Sequence, residues 1–432
     1  MLLANKADVN YIDYNNRNAV TSAAESGNID IVNMILSHDG LYIELVYDAL
    51  HDPLCSGSSN FYLSTEIAKL LISRLPDVNC RVQRSCVLLN HAVSGRYLGM
   101  ISLLLESGAD PNVTDSSGVD ALFIACSEGY LDIVRQLFEF DSSHKISMES
   151  INKAYLCACY FGRVDMVRYL IEKGADINAV GGDGGPAIDY AIHKNNIPLA
   201  KLLIEKGLDV NAIYLSRSAL YFACMLMYDE MLQLLFDSGA DPDLRYPDGS
   251  TLLLNCIHIT CDKRADYTPY IALLLTHGAD VNMSYGLTGM TILMIATFAS
   301  AKNDLVELLL EHGADPNVHR SDGSCLLLNL IQLTCEKRTD YTTYITFLLD
   351  REANVNISHS ATGQTALMIA GAAANTDLVK LLLEHGADVT QFSREGKGVM
   401  DMLGRTRSHA KVAELCEAYI DSNRVDSKAI LK

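Results

Sequence analysis

One helical pattern with its own stop signal recurs along this chain of 432 residues, and the recurrence constrains the fold more than any other feature. Residues 304–317 read DLVELLLEHGADPN. Leu305, Leu308 and Leu309 are three and four positions apart, so they fall on one face of a predicted helix. Gly313 marks the end of this helix, because glycine accepts the left-handed backbone that a helix terminus needs. The proline that follows cannot continue a helix, so the chain is expected to leave as a turn.

The ending Gly-Ala-Asp-x-Asn indicates a repeat protein. The pattern or a close variant occurs at residues 108–112, 174–178, 207–211, 239–243, 278–282 and 313–317, with weaker copies at 352–356 and 386–390. Most neighbouring copies are about 33 residues apart, with some longer intervals. One helix pair cannot bury both of its faces alone, whereas stacked pairs share a continuous core. We therefore expect a solenoid that is stabilised from repeat to repeat.

A helix of small residues precedes each leucine-rich helix, as in the segments TALMIA at 365–370 and TILMIA at 291–296. With the period of about 33, these segments resemble the ankyrin repeat family, whose signature is Thr-Pro-Leu-His-x-Ala. The resemblance extends over nearly the whole chain and implies an all-α ankyrin repeat solenoid of about twelve helix-turn-helix repeats with short β-turn tips. The chain departs from the signature in two ways: the proline remains only at Pro186, and the histidine is replaced by Met294, Met368, Leu254 and Leu328.

The repeats divide the chain into blocks. We expect the tail of an incomplete N-terminal repeat at 1–10, a first block of ankyrin repeats at 11–243, duplicated pairs of long and short repeats at 244–390, a C-terminal capping repeat at 391–420 and a polar tail at 421–432. The incomplete first repeat leaves an alternative open. The chain would then be the ankyrin repeat region of a larger protein, such as a channel, a kinase or a ubiquitin-ligase adaptor.

Composition narrows the class of partner. The formal net charge of −19 disfavours nucleic acid and anionic membranes, and favours basic or neutral protein partners. No apolar run reaches the roughly 18 residues of a membrane span. The twelve cysteines are scattered without a C-x-x-C pair or zinc spacing, which predicts small buried residues in a reducing compartment and no metal or cofactor. We expect a monomeric, intracellular and cytoplasmic protein.

The resemblance implies a non-catalytic scaffold for protein-protein interaction, which binds partners along a concave face of turn tips and first helices. The histidines lie in different repeats with no recurring acid or nucleophile beside them. An enzyme with a site on the concave face remains the other alternative. The resemblance also makes turn asparagines such as Asn178, Asn211, Asn282 and Asn317 candidate substrates of an asparaginyl hydroxylase.

The turn tips supply the first candidate binding residues. The position three residues after the terminal Asn of a repeat, or after its equivalent, is aromatic or cationic in five successive repeats, and two of these residues have a basic neighbour. We call this set the tip strip; it comprises Tyr214, Arg245, Tyr246, Tyr285, His319, Arg320 and His359. Tyr and Arg are common at binding hot spots, because they combine large area with hydrogen bonding. The alternative is that each tyrosine packs over its neighbouring turn and meets no partner.

The long repeats supply a second candidate. Each carries an insertion between its two helices with a basic pair in an otherwise acidic chain, namely Lys263 with Arg264 and Lys337 with Arg338. Two such pairs, one duplication unit apart, could bind two acidic positions on one partner. The alternative is that these side chains are solvated loop charges.

Overall fold

Two compact units make up the chain, Met1–Gly239 and Ala240–Lys432. The computed structural model describes residues 7–14, 17–55, 64–80, 87–140, 145–182, 184–262, 264–286, 289–299, 303–336 and 339–429, with the backbone alone at 51–55 and 422–429. The division into units lies close to the boundary that the duplication predicts at 243/244. The finer block boundaries stay a prediction.

The first unit consists of helix pairs. Its described part contains seven of them: α1 (Ala19–Glu25) and α2 (Ile29–Leu36), α3 (Ile43–Cys55) and α4 (Thr65–Ile72), α5 (Leu88–Ser94) and α6 (Leu98–Glu106), α7 (Ala121–Glu128) and α8 (Leu131–Glu139), α9 (Met148–Tyr160) and α10 (Val164–Glu172), α11 (Ala187–His193) and α12 (Ile197–Glu205), and α13 (Ala219–Met225) and α14 (Asp229–Asp237). Between α12 and α13 lies a two-stranded hairpin of β1 (Ile213–Tyr214) and β2 (Arg217–Ser218).

The second unit continues the pattern. Its described part holds four pairs: α15 (Leu252–Cys261) and α16 (Thr268–Thr276), α17 (Ile292–Phe298) and α18 (Asn303–Glu311), α19 (Leu326–Cys335) and α20 (Thr342–Asp350), and α21 (Ala366–Ala372) and α22 (Thr376–Glu384). A second hairpin, β3 (Ser284–Tyr285) with β4 (Met290–Thr291), precedes α17. Together with the terminal repeat, these pairs confirm the expected number of about twelve repeats.

The terminal repeat differs from the others. Its first helix is reduced to a 3-10 turn at Met400–Met402, and its second is the long helix α23 (Arg407–Ala429). Val412 and Cys416 of α23 are fully buried, and α23 packs on both α21 and α22. The segment expected to be a polar tail from residue 421 is therefore helical through Ala429.

Within each unit the first helices pack on first helices and the second on second. In the first unit, α5, α7, α9, α11 and α13 form one layer, while α10, α12 and α14 form the other. This stacking buries the apolar stripe of each helix. In α18, Leu305, Val306 and Leu309 are buried, whereas Leu308 is only half-buried. The apolar face predicted for this helix is thus confirmed, but Val306 is buried more deeply than Leu308.

The residues at the start of each first helix explain the recurring Thr of the TALMIA-type segments. Thr291 accepts a hydrogen bond from the backbone N–H of Met294 at 3.4 Å, and Thr365 accepts one from Met368 at 3.3 Å. These bonds satisfy orphan donors of the first turn. Met294 and Met368 are themselves almost fully buried. Where the family places a histidine, this chain therefore adds to the apolar core.

A ladder of asparagine side chains connects successive turns. Asn282 accepts from the N–H of Asp315 at 2.7 Å and donates to the carbonyl of Gly313 at 3.0 Å, so one amide bonds two groups of the next turn. Asn356 makes the equivalent bonds to Asp388 and Gly386, at 2.7 and 3.4 Å. The recurring motif therefore has a structural role within the stack, because these amides satisfy backbone groups of the neighbouring turn.

The glycine before each Ala-Asp has the backbone that the sequence predicts. Gly313, for example, has φ +84°. In the weaker copy at 352–356 the corresponding residue is Glu352, with φ +61°. A side chain in this left-handed region is strained, so this turn costs stability that the glycine turns avoid.

Candidate partner-binding surfaces

Backbone hydrogen bonds hold the turn tips, so the tip side chains are not needed to close them. In the tip at 318–325, the N–H of Arg320 donates to the Ser324 carbonyl at 2.7 Å, and the N–H of Gly323 donates to the Arg320 carbonyl at 2.9 Å. The tip at 284–291 is closed by the β3–β4 pairing. Tip side chains in this arrangement can vary without loss of the turn.

The tip strip lies mostly in the second unit, where its members differ in exposure. Tyr285 is 42% exposed, and Arg245 and His319 are exposed as well. Tyr246 is different, since it retains only 4% exposure. The phenol ring is covered by the protein itself, as the packing alternative predicts. The assignment of Tyr246 as a partner-binding residue stays a prediction.

Arg320 and His359 belong to two neighbouring tips and are half-buried. The guanidinium of Arg320 lies 3.7 Å from the carboxylate of Asp322. The pKa of Asp322 is lowered, first by hydrogen bonds from the Ser324 hydroxyl and backbone N–H, and then by the charges of Arg320 and His359. Within the described residues, the Nε of Arg320 is buried and lacks a hydrogen-bond partner.

These two tips are also joined directly. The N–H of Ser360 donates to the Gly323 carbonyl at 3.0 Å. The ring of His319 reaches the Ser358 carbonyl, with Nε2 at 3.4 Å. Gly323 has φ +82°, a left-handed backbone that favours glycine, and a Cβ at this position would also displace the Ser360 hydroxyl. The structure thus brings His319, Arg320 and His359 into one cluster.

Tyr214 differs from the other members of the tip strip, because it belongs to the first unit. It is half-buried in strand β1, where it pairs with Arg217. The two residues between the strands, Leu215 and Ser216, both have positive φ values, as a tight two-residue hairpin requires.

The second candidate, the basic loop pairs, lies largely outside the described residues. Lys263, Lys337 and Arg338 fall there, and only Arg264 is described. Arg264 is exposed, and its guanidinium lies 3.6 Å from the carboxylate of Asp262. The proposal that these pairs bind a partner remains a prediction.

Sequence reasoning missed a cluster of aromatic side chains in the first unit. We call it the aromatic ladder; its members lie on or directly after the first helices α9, α11 and α13, and they are Tyr160, Phe161, Tyr190, His193, Tyr221 and Phe222. The ring centroids of Tyr160 and Tyr190 are 5.8 Å apart, and those of His193 and Phe222 are 5.6 Å apart. The Tyr-Phe pairs at 160–161 and 221–222 were the available signal.

Cations accompany the aromatic ladder. The Nζ of Lys194 lies 5.1 Å from the centroid of the Tyr160 ring, and the guanidinium carbon of Arg217 lies 5.0 Å from that of Tyr221. Cations at this distance over a ring face are attracted by its electron density. The ladder therefore presents apolar faces and positive charge together.

The thiols offer little reactivity. The ten cysteines with described side chains are thiols rather than disulfides, and seven of them are buried. Burial raises the pKa of Cys157 and of Cys159 to about 12 each, so neither is a thiolate at neutral pH. Across the parts of the chain with described coordinates, no group of three or more His, Cys, Asp or Glu side chains is placed to hold a metal ion.

Stacked helix pairs, hairpin tips and bonds between successive turns define a helical repeat protein of the ankyrin class. The model of the family "Ankyrin repeats (3 copies)" matches residues 54–150, 88–181, 155–246, 220–320 and 326–425. The chain therefore belongs to the ankyrin repeat family. Membership indicates a scaffold for protein-protein interaction with protein partners, in a family that is generally non-catalytic.

Relatives share part of the chain. It is 34% identical to the human "Ankyrin repeat and SOCS box protein 6" over 177 residues, which cover 37% of this chain and 38% of that protein. It is 28% identical over 163 residues to an ankyrin repeat protein of Acanthamoeba polyphaga mimivirus, covering 34% of this chain and 25% of that one. An ankyrin repeat protein of fowlpox virus is 29% identical over 177 residues, covering 39% and 47%. The match to the human protein thus spans well under half of its length.

No helix in the described part of the chain combines the length and the apolar character needed to cross a bilayer.

Proposed function

We propose that this protein is a non-catalytic scaffold, and that the second unit binds a partner protein through its turn tips. One observation carries the proposal: Arg245, Tyr285 and His319 are exposed on tips whose closure depends on backbone bonds. Large or cationic side chains that the turn does not need can meet a partner at little cost to the fold.

Charge supports the proposal. The chain carries a net charge of −19, yet the tips at 318–325 and 357–365 contain His319, Arg320 and His359 against the one carboxylate of Asp322. Such a local excess of hydrogen-bond donors in an acidic protein favours a partner surface that places carboxylates or carbonyl groups opposite these two tips.

The test is partner capture followed by mass spectrometry in the source cell. Wild type is compared with a tip variant that combines Arg245→Ala, Tyr285→Ala and His319→Ala. The matched control combines Glu311→Ala, Lys380→Ala and Glu384→Ala on second helices of the same unit. Hot-spot residues contribute about 2 kcal/mol or more each, so a true partner should fall at least about 30-fold in the tip variant.

The control keeps the comparison specific. Both variants should retain the circular dichroism spectrum and melting temperature of wild type, because all six residues are on the surface. A partner list unchanged in the tip variant would contradict the proposal. Equal losses in both variants would show a general effect of surface substitution, which also contradicts it.

A second candidate is that these repeats are the binding region of a larger protein, such as a ubiquitin-ligase adaptor, a channel or a kinase. One observation favours it: the human relative is named for a SOCS box in addition to its ankyrin repeats. An antibody against the repeats should then detect, in the source cell, a polypeptide larger than 432 residues. A band at the size of this chain would rule out the second candidate.

A further inference from the structure

The aromatic ladder of the first unit has the properties of a second interaction surface. We propose that it binds an extended segment of a partner protein in which acidic side chains alternate with apolar ones. This inference rests on the proposed scaffold function, but it concerns a different unit and different residues from the tip strip.

The ladder runs from repeat to repeat, because rings on neighbouring first helices contact each other. Tyr160 at the end of α9 meets Tyr190 in α11, and His193 at the end of α11 meets Phe222 in α13. The two contacts have the same form. In each, the last residue of one first helix touches a residue that lies about one turn before the end of the next first helix. The ladder therefore follows the stacking direction across three repeats.

Much of this aromatic surface is open. Tyr160 is 50% exposed and Phe161 is 49% exposed, while Tyr190, Tyr221 and Phe222 are half-buried. Contacts between repeats explain the buried halves of these rings, because edge-to-face pairs stabilise the stack. They do not explain exposed faces side by side, which are characteristic of interaction sites.

The segments that carry the ladder residues are basic. The segments 154–163, 190–196 and 217–228 contain Arg163, Lys194 and Arg217 and no Asp or Glu, in a chain with 53 acidic and 34 basic residues. The carboxylate nearest to the ladder along the chain, Asp189, directly precedes Tyr190 and is buried. Asp165, Asp229 and Glu230 begin the second helices α10 and α14. A partner's carboxylates would thus contact the cations of these three segments, and the segments themselves contain no acidic side chain to repel them.

The dimensions fit an extended segment. Packed helices are about 8–10 Å apart, so three first helices span roughly 20 Å. An extended chain advances about 3.3 Å per residue, and about six residues cover this length. Alternate side chains of such a segment point to opposite faces. Apolar residues can therefore lie on the rings, with carboxylates toward Lys194 and Arg217.

The experiment uses a library of random 12-residue peptides displayed on phage, selected against the full chain. Selected sequences are synthesised, and their affinities are measured by fluorescence anisotropy in about 50 and 200 mM NaCl. The test variant is Lys194→Glu combined with Arg217→Glu, which reverses two charges without removing a ring. A second variant, Tyr160→Ala with Phe222→Ala, removes two rungs.

We expect selected peptides to contain more Asp and Glu than Lys and Arg, interspersed with apolar residues. Their affinity should fall at least tenfold in each variant and should weaken with salt. Peptides with Lys in place of Glu should recover binding to the charge-reversed variant. That recovery requires a folded ladder, so it distinguishes a lost contact from a lost fold.

Several results would overturn the inference. Selection of neutral or basic peptides would do so, as would affinities that the charge reversal leaves unchanged. A wild-type chain that self-associates in sedimentation, while the charge-reversed variant does not, would assign the ladder to a second copy of this chain. The tip variant of the second unit must bind the selected peptides like wild type. If the tip variant loses its partner while the selection against the full chain yields no acidic peptides, the scaffold proposal stands and the proposal for the aromatic ladder fails.

Discussion

The asparagine ladder is interrupted at Asp243, and this interruption leads to a stability prediction. Asp243 occupies the position held by Asn282 and Asn356 in later repeats. It accepts a hydrogen bond from the N–H of Asp280 at 2.8 Å, as the asparagines do from their equivalents. A carboxylate cannot donate to a glycine carbonyl as the amides of Asn282 and Asn356 do. We therefore predict that Asp243→Asn stabilises the second unit.

The magnitude follows from one added hydrogen bond. By equivalence with Asn282, the new amide should donate to the carbonyl of Gly278, which contributes about 0.5–1.5 kcal/mol to the free energy of unfolding. The substitution also removes a charge beside Asp241 and Asp280. For a unit of this size, 1 kcal/mol raises the melting temperature by about 2–4 °C.

The dependence on pH gives an independent check. Burial raises the pKa of Asp243, and the negative charges of Asp280 and Asp241 raise it further. The hydrogen bond from the Asp280 N–H and the charge of Arg245 lower this pKa, but by less, so the net change is upward. A carboxyl group whose pKa is higher in the folded than in the unfolded state contributes stability at pH values below its unfolded pKa of about 3.9. This contribution is lost as the pH rises through the folded-state pKa. The advantage of the variant should therefore be full at pH 7 and should shrink toward pH 4.

Urea unfolding monitored by circular dichroism at pH 7 and pH 4 measures both quantities. The reciprocal control is Asn282→Asp, which should destabilise the same unit at pH 7 by a similar amount. The reasoning is refuted if Asp243→Asn is neutral or destabilising at pH 7, or if its effect is equal at both pH values.

Three further predictions concern other parts of the stack. Glu352→Gly should raise the unfolding free energy by about 1 kcal/mol in urea titrations, because it removes a side chain from a left-handed backbone; a loss of stability would contradict this. Asp120→Ala should lower the unfolding free energy by about 2–3 kcal/mol, because this carboxylate caps α7 and also accepts a hydrogen bond from the Ser150 hydroxyl of α9. Asp120→Asn should retain more stability. The pKa of His385 is raised, first by its bond to the Leu381 carbonyl and then by Asp350. It should therefore titrate above 6.5 by NMR, and its contribution to stability should be lost as the pH rises through that pKa; Asp350→Asn should lower the value, and an unchanged pKa would refute the pairing.

Much of the fold could be read from the sequence because ankyrin repeats are locally determined. The helix of residues 303–311, its terminal glycine and the turn that follows all depend on residues within one repeat. The same holds for the caps at Thr291 and Thr365. Where the terminal repeat departs from the pattern, in the 3-10 turn and the long α23, no second copy in the sequence announced the change.

Exposure could not be read in the same way. Tyr246 and Tyr285 hold the same position in their repeats, yet the first is buried and the second is exposed. Burial is set by side chains that reach a residue from other turns, and these lie outside any local window of sequence. The tip strip residues lie on the turns, as the repeat pattern predicts, but only the structure showed which of their side chains are exposed.

The sequence by itself determined that this chain stacks helix pairs, since the period, the apolar stripes and the glycine endings are local and leave no other way to bury the helices. The tertiary structure alone decided which aromatic side chains form one surface. Tyr160 and Tyr190 belong to different repeats, and their contact depends on the register with which α9 packs on α11. That register results from packing between helices, for which the sequence of either helix carries no separate signal.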